Sequence, residues 1–392
     1  MTNAVPPPST LNMVGDFRWR PSPSTAKARD GFKAVQALPP LGVLAALADT
    51  KFHGTGLNTI FRPMNPNLPP TLLDNPVTGP AAAENDNLLQ LSLTKETLAF
   101  DQQLGSVPNR GFAQADMFLN GLPYVQRIDD NTDPTLDPLP GIHFEPGVWL
   151  NIPETTAPAE GVTLARMASI PHGTTINAQG TSTPIAGAPT IPSVDITPTF
   201  INGGAQHRFK NQTATDPNTF RLPQDLSSFI ANGSITQHIL DDPNLLLRQR
   251  AKAQNIVSTE QITIDTAPTG PLFGGGTDNI AFLQGDRDGT NPNADAVHVT
   301  ATFWIETVSE QILLPALQPG QVATVQGAES FGIPAVLFDI SSATEVAEGT
   351  TVEVTYTQIQ YTQNVKLNFA PLSWPHVTVG TLVPQGNVRV QL

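Results

Sequence analysis

Proline interrupts this chain so often that long helices have almost nowhere to form. Of its 392 residues, 38 are proline and 30 glycine. Proline removes the helical N–H and clashes with the preceding turn. What survives between the breaks is a series of short stretches rich in Val, Ile, Thr and aromatic residues, the pattern of strands joined by irregular loops. Phe52–Arg62, Leu88–Phe100, Gly121–Ile128, Ile142–Ile152 and Val162–Ile170 form a first group, and Ala296–Val308, Ala335–Ile340, Thr350–Phe369 and His376–Val383 a second. In Val162–Ile170, alternation puts Leu164, Arg166 and Ala168 on one face and Ala165, Met167 and Ser169 on the other. The expected fold is mainly β, an antiparallel barrel with a long Pro/Gly-rich insertion and few short helices.

The organisation follows from where the strand signals stop and resume. Residues 1–38 are polar and proline-broken, and read as an extended arm. The run from Leu41 to Asp49 (LGVLAALAD) is short and apolar on more than one face, which suits a plug for one end of a barrel. Residues 39–173 and 296–392 then form one barrel domain. Residues 174–295 read as a loop-rich insertion with one helix near Pro243–Ala253, where Asp242 can cap and Pro243 can open the first turn. Two separate domains are the alternative.

Composition narrows the functions. There is no cysteine, so disulfides, thiolate ligands and thiol nucleophiles are excluded. A net charge of −14 without a Lys/Arg cluster disfavours a nucleic-acid partner. No apolar run approaches the roughly 18 residues that a membrane span needs. Met1–Val5 has neither the basic start nor the apolar centre of a secretory signal. The cytoplasm is therefore the expected address. No serine-hydrolase elbow, P-loop or metalloprotease motif is present. Phe273–Gly276 lacks the lysine of a phosphate loop, and Asp286–Asn293 lacks the late glutamate of a calcium loop. Glu145 and Glu306 read as isolated acids.

Histidines are then the strongest metal ligands available. His376 lies in SWPHVTVGTLVP, where Pro375 sets the entry to a short strand and Gly380 shares its face, leaving room for a flat macrocycle. The commoner role of such a residue is a core histidine bonded to a carbonyl. His172, in SIPHGTT, is placed at a turn where it would be displayed at a barrel mouth. His53 and His143 are weaker candidates.

Three segments together resemble the nitrobindin-like bacterial haem-binding proteins. They are LGVLAALADTKFHGTGLN with Thr55, IHFEPGVWLNIP followed by VTLARMASIPHGTTINAQG, and LQPG through IQYTQNVKLNFAPLSWPHVTVGTL. The resemblance implies haem b with His376 as proximal iron ligand and His172 on the distal side. It also implies a small diatomic or peroxide-type ligand, with peroxynitrite isomerase-like or peroxidase-like chemistry. The fold implied is a calycin-type barrel, with Thr55 among the expected cofactor-binding residues, Met167, Phe100, Leu119, Phe303 and Ile305 the expected pocket wall, and Arg62, Arg110 and Arg166 the expected propionate partners. Two other readings stay open: a lipocalin-like carrier of an apolar molecule without metal, and a structural or assembly protein whose copies meet through the arm and insertion as a homo-oligomer.

Overall fold

A computed structural model describes residues 38–63, 87–109, 117–156, 159–170, 173–268, 274–279, 294–369 and 371–392. The arm expected at 1–38 therefore falls almost wholly outside the described residues, as do the calcium-like loop and His172.

Ten antiparallel strands close into a barrel: β1 (Lys51–Pro63), β2 (Asn87–Phe100), β3 (Phe118–Asp130), β4 (Gly141–Ile152), β5 (Thr163–Ser169), β6 (Thr174–Ala186), β7 (Asn255–Asp265), β8 (Asp295–Leu313), β9 (Thr351–Phe369) and β10 (Leu372–Pro384). Each pairs with its neighbour in sequence, and β10 returns to β1 through Gly54↔Leu382, Gly56↔Gly380 and Asn58↔Thr378. Such a ring leaves no strand edge unpaired. The chain is thus mainly β, with a closed antiparallel barrel and short helices, as the sequence implies.

The 3₁₀ helix Gly42–Leu47 buries Leu44 and Leu47 in the core. Asn120 Nδ2 donates to Pro39 O at 2.7 Å and Asn151 Nδ2 to Pro40 O at 3.0 Å, fixing the plug at the end of the barrel where β4 finishes. The opposite end, where β1 and β9 finish, is called the far end below.

The boundaries of the insertion need correction. β6 and β7 both lie within 174–295 and are barrel staves, so the chain leaves the ring between Ala186 and Asn255 and again between Asp265 and Asp295. β6 (TTINAQGTSTPIA) hides its nature because Gly180 and Pro184 sit inside it. A side chain at Gly180 would strike the backbone of Thr263 on β7, so only glycine permits that close approach.

Residues 187–254 carry α1 (Ser227–Ala231), α2 (Gln237–Asp241) and α3 (Asn244–Lys252). They pack on the outside of the ring: Thr362 Oγ1 donates to Asn244 Oδ1, Gln360 Nε2 to Leu247 O, and Arg250 donates to both Thr55 O and Thr55 Oγ1 at 2.7 Å. This cover explains why Val377, Val379, Leu382 and Val383 of β10 are all buried, although alternate residues of a strand face opposite ways. The predicted helix forms as α3, with Pro243 just before it. Asp242 does not cap it; its carboxylate accepts from Val194 N–H and Arg248.

The Ala335–Ile340 signal yields Leu337–Ser341 in a separate three-stranded sheet with Val322–Gln326 and Val388–Gln391, which has its own apolar cluster around Phe338 and Ile340. No helix among the described residues is long and apolar enough to cross a membrane.

Candidate functional site

Small barrels ordinarily fill their lumen with apolar side chains. In this one a level of the lumen is polar and holds a buried ion pair. Register aligns Gln126 with Glu145 across β3 and β4, and Trp149 with Arg166 across β4 and β5, so Tyr124, Gln126, Glu145 and Arg166 share the inward face. Arg166 Nη2 lies 2.5 Å from Glu145 Oε1, its Nε donates to Tyr124 OH at 2.8 Å, and its Nη1 donates to Gln363 Oε1 of β9 at 2.7 Å. Tyr124 OH also donates to Glu145 Oε1 in a short hydrogen bond. The guanidinium lies 5.2 Å from the Phe303 ring centre and 5.8 Å from that of Trp149, close enough for cation–π attraction.

A second group adjoins the first. Tyr361 OH donates to Glu96 Oε2 at 2.6 Å, Thr94 Oγ1 donates to Glu96 Oε1 at 2.7 Å, and Gln126 Nε2 donates to Tyr361 OH at 3.1 Å. The Arg166–Gln363 and Gln126–Tyr361 bonds join opposite sides of the ring, so side chains span the lumen here and form a floor. Electrostatics divides the two acids. Burial alone would raise Glu145, but the Arg166 charge and the His143 and Tyr124 hydrogen bonds bring it down to about 2. Burial raises Glu96, and its hydrogen bonds from Tyr361 and Thr94 offset that only in part.

On the far-end side of this floor the inward face changes character. Val365 pairs with His376, Val299 with Val365, Ile264 with Ala301 and Ala168 with Ile176, all inward and all buried except the half-buried His376. Facing this apolar wall are His376, Asn58 and Thr378. His376 Nε2 lies 2.8 Å from Asn58 Oδ1, which also accepts from Thr378 Oγ1 at 2.8 Å. A carboxamide oxygen only accepts, so Nε2 is the protonated ring nitrogen. His143 completes the set: its Nε2 is 3.1 Å from Glu145 Oε2, and its side chain is 11% exposed.

The sequence candidates separate against this geometry. Arg166 faces the lumen but belongs to the floor, with its donors committed, not to a mouth where propionates would lie. Thr55 points outward, where it binds Arg250 and donates to Gly332 O at 2.8 Å, and Met167 points outward and is exposed. Both therefore leave the expected pocket list, as does Leu119, which is out of phase with inward Leu122 and Tyr124. Phe100, Phe303 and Ile305 do face inward and are buried. Arg62 ends β1, half-buried, with burial lowering its pKa. His172 and Arg110 lie outside the described residues. The room beside Gly380 is taken: a Cβ there would lie 2.5 Å from the Tyr361 ring and 3.2 Å from Glu96 Oε2.

Sequence reading missed the floor. Its signal was the alternation His143, Glu145, Gly147, Trp149 along β4, which marks a polar-then-aromatic inward face once β4 is known to be a stave. Haem asks such a site for one imidazole nitrogen and an apolar wall. The donor type and the wall fit, although Nε2 would have to exchange Asn58 for the metal. Among the described residues no group of three or more His, Asp or Glu side chains could hold a metal ion.

No protein-family model matches this chain, and no curated protein matches it. A solved structure described as "Crystal Structure of Rv2717c from M. tuberculosis" aligns over 89% of this chain and 99% of its own, at 9% identity and a TM-score of 0.32.

Proposed function

We propose that this protein is a ligand-binding barrel that holds haem b in the far-end half of its lumen, with His376 as the iron ligand. The observation behind this reading is an inward histidine opposite a wall of buried Val, Ile and Ala, above a floor of paired charges. Bound there, haem would supply an iron site for a small diatomic or peroxide-type ligand. His376 would provide the imidazole once Nε2 is released from Asn58, and Val299, Val365 and Ala301 would keep water from the bound group. Arg62, at the end of β1, is the propionate partner in this reading.

The test is a haemin titration followed by visible absorption, with wild type beside His376→Ala and Asn58→Ala. The expected result is a Soret band in wild type, about a hundredfold weaker binding in His376→Ala, and retained or tighter binding in Asn58→Ala, which releases Nε2. Absence of a Soret band in all three would end the haem reading. The Asn58 bond favours a second reading, because it satisfies His376 without any metal. In that case the lumen carries an apolar small molecule, and a fluorescent lipid analogue would bind wild type and His376→Ala alike.

A further inference from the structure

We propose that the Val322–Gln326 strand is a docking edge for a second copy of this chain, the two strands pairing antiparallel about a two-fold axis at Thr324. This does not depend on what the lumen holds. The three-stranded sheet is open where the ring is closed: Leu337–Ser341 lies at its centre, and among the described residues Val322–Gln326 pairs with it on one side only. The ladder fixes which backbone groups are spare. Gly327 N–H donates to Val336 O at 2.8 Å, and the pairs Val325↔Phe338 and Ala323↔Ile340 follow in the same phase, so these residues turn their N–H and C=O groups toward the central strand. Val322, Thr324 and Gln326 therefore turn theirs to the open side. All three residues are exposed, Val322 at 59%. Ala323 and Val325 pack on the apolar cluster around Phe338 and Ile340, which anchors the strand from one face.

Edges of this kind are usually blocked by a charge, a proline or a bulge. This strand contains no charged residue and no proline, and its register runs without a break, whereas the other edge strand, Val388–Gln391, carries Arg389. Charge and register together select a second copy as the occupant. A chain of net charge −14 repels its own copies over most of its surface, but from Gln318 to Ala328 it carries no charge at all. A two-fold axis at Thr324 sets Thr324 opposite Thr324 and Val322 opposite Gln326, each pair exchanging both of its N–H···O bonds. It also sets Ala323 opposite Val325, which continues the apolar face. Glu329, the nearest acid along the chain, falls level with Pro319 of the second copy and meets no like charge. The strand has five residues and spans about 17 Å, a small contact beside those of stable dimers, so the pairing is reversible and depends on concentration.

The experiment is sedimentation velocity of the full chain over a concentration series, in about 0.15 M salt to screen the net charge, with wild type beside Thr324→Pro and Thr324→Val. Thr324→Pro removes an N–H that no bond within the sheet uses, a change that an edge strand tolerates. Thr324→Val loses the hydroxyl bond to Asp339 Oδ1, 2.6 Å long, but keeps that N–H. The expected result is a reversible dimer in wild type and Thr324→Val, with a dissociation constant about tenfold or more higher in Thr324→Pro. Because the chain has no cysteine, Thr324→Cys gives an independent readout. Facing Cα atoms at the axis would be about 5.5 Å apart, within reach of a disulfide, so mild oxidation should crosslink Thr324→Cys far more than Gln391→Cys on the other edge strand. A monomer at every concentration, with equal crosslinking at the two positions, overturns the second copy as occupant, a strand of a different protein being then the remaining one. A dimer that Thr324→Pro leaves intact, with no preference for crosslinking at position 324, puts the interface elsewhere and overturns the proposal as well.

Discussion

Arg166 and Glu145 are held almost entirely out of water, at 1% and 0% exposure, and desolvating two charges costs several kcal/mol before their attraction offsets it. Removing one partner is therefore worse than removing both. Arg166→Met should destabilise the barrel by about 3–5 kcal/mol in urea unfolding, and Arg166→Met with Glu145→Leu should recover most of that. A double variant no more stable than the single one would contradict a coupled pair. The pair also sets acid behaviour. Glu145 is lowered from 4.5 to about 2 in the folded chain, so its stabilisation is complete above pH 4.5 and is lost as pH falls toward 2. Glu145 looks isolated in sequence because its partners are 21 positions away on either side, at Tyr124 and Arg166. Only strand register brings them together. His376, by contrast, could be placed on an inward face from its own strand, since Pro375 and the alternation after it are local.

At the scale of elements, legibility follows how a strand is buried. β8, β9 and β10 carry dense β-branched and aromatic residues and are legible in sequence: Thr350–Phe369 matches β9 within one residue, whereas Ala296–Val308 stops before the Leu313 end of β8 and His376–Val383 starts after the Leu372 start of β10. β6 escaped because Gly180, required by the close backbone of β7, and the exposed Pro184 break its strand pattern, and its loss moved β7 into the supposed insertion. The outer layer depends on two buried groups that sequence reading passed over or set aside. Arg221 donates to the backbone carbonyls of Asn211, Thr213, Ala214, Asp216, Pro223 and Gln224. Arg221→Met should orphan those carbonyls, cost about 3 kcal/mol or more, and expose 187–254 to limited proteolysis while the barrel strands stay protected. Glu306 lies beneath the layer, its Oε2 accepting from Gln358 and its Oε1 without a partner. Burial raises it from 4.5 to about 8, with the Gln358 bond opposing weakly. The folded chain therefore binds the proton more tightly than the unfolded chain does. That stabilisation is complete below pH 4.5 and is lost as pH rises through 8. Glu306→Gln should flatten the alkaline side of the stability curve; an unchanged slope would contradict the assignment.

Within the barrel, the ring removes strand edges, the 3₁₀ helix closes one end, and the outer layer covers the apolar backs of β1 and β10 and the polar back of β9. The proposed function uses the lumen between the floor and the far end. A steric block there tests the central claim most directly. Val299 faces inward beside Val365, itself paired with His376, and Val299→Trp would fill that space at an overpacking cost of about 1–3 kcal/mol. Haemin titration of this variant beside wild type is the deciding measurement. Saturable binding by wild type, lost in a Val299→Trp protein that still unfolds cooperatively, is the predicted result. Equal binding by the two proteins, or none by wild type, would contradict it.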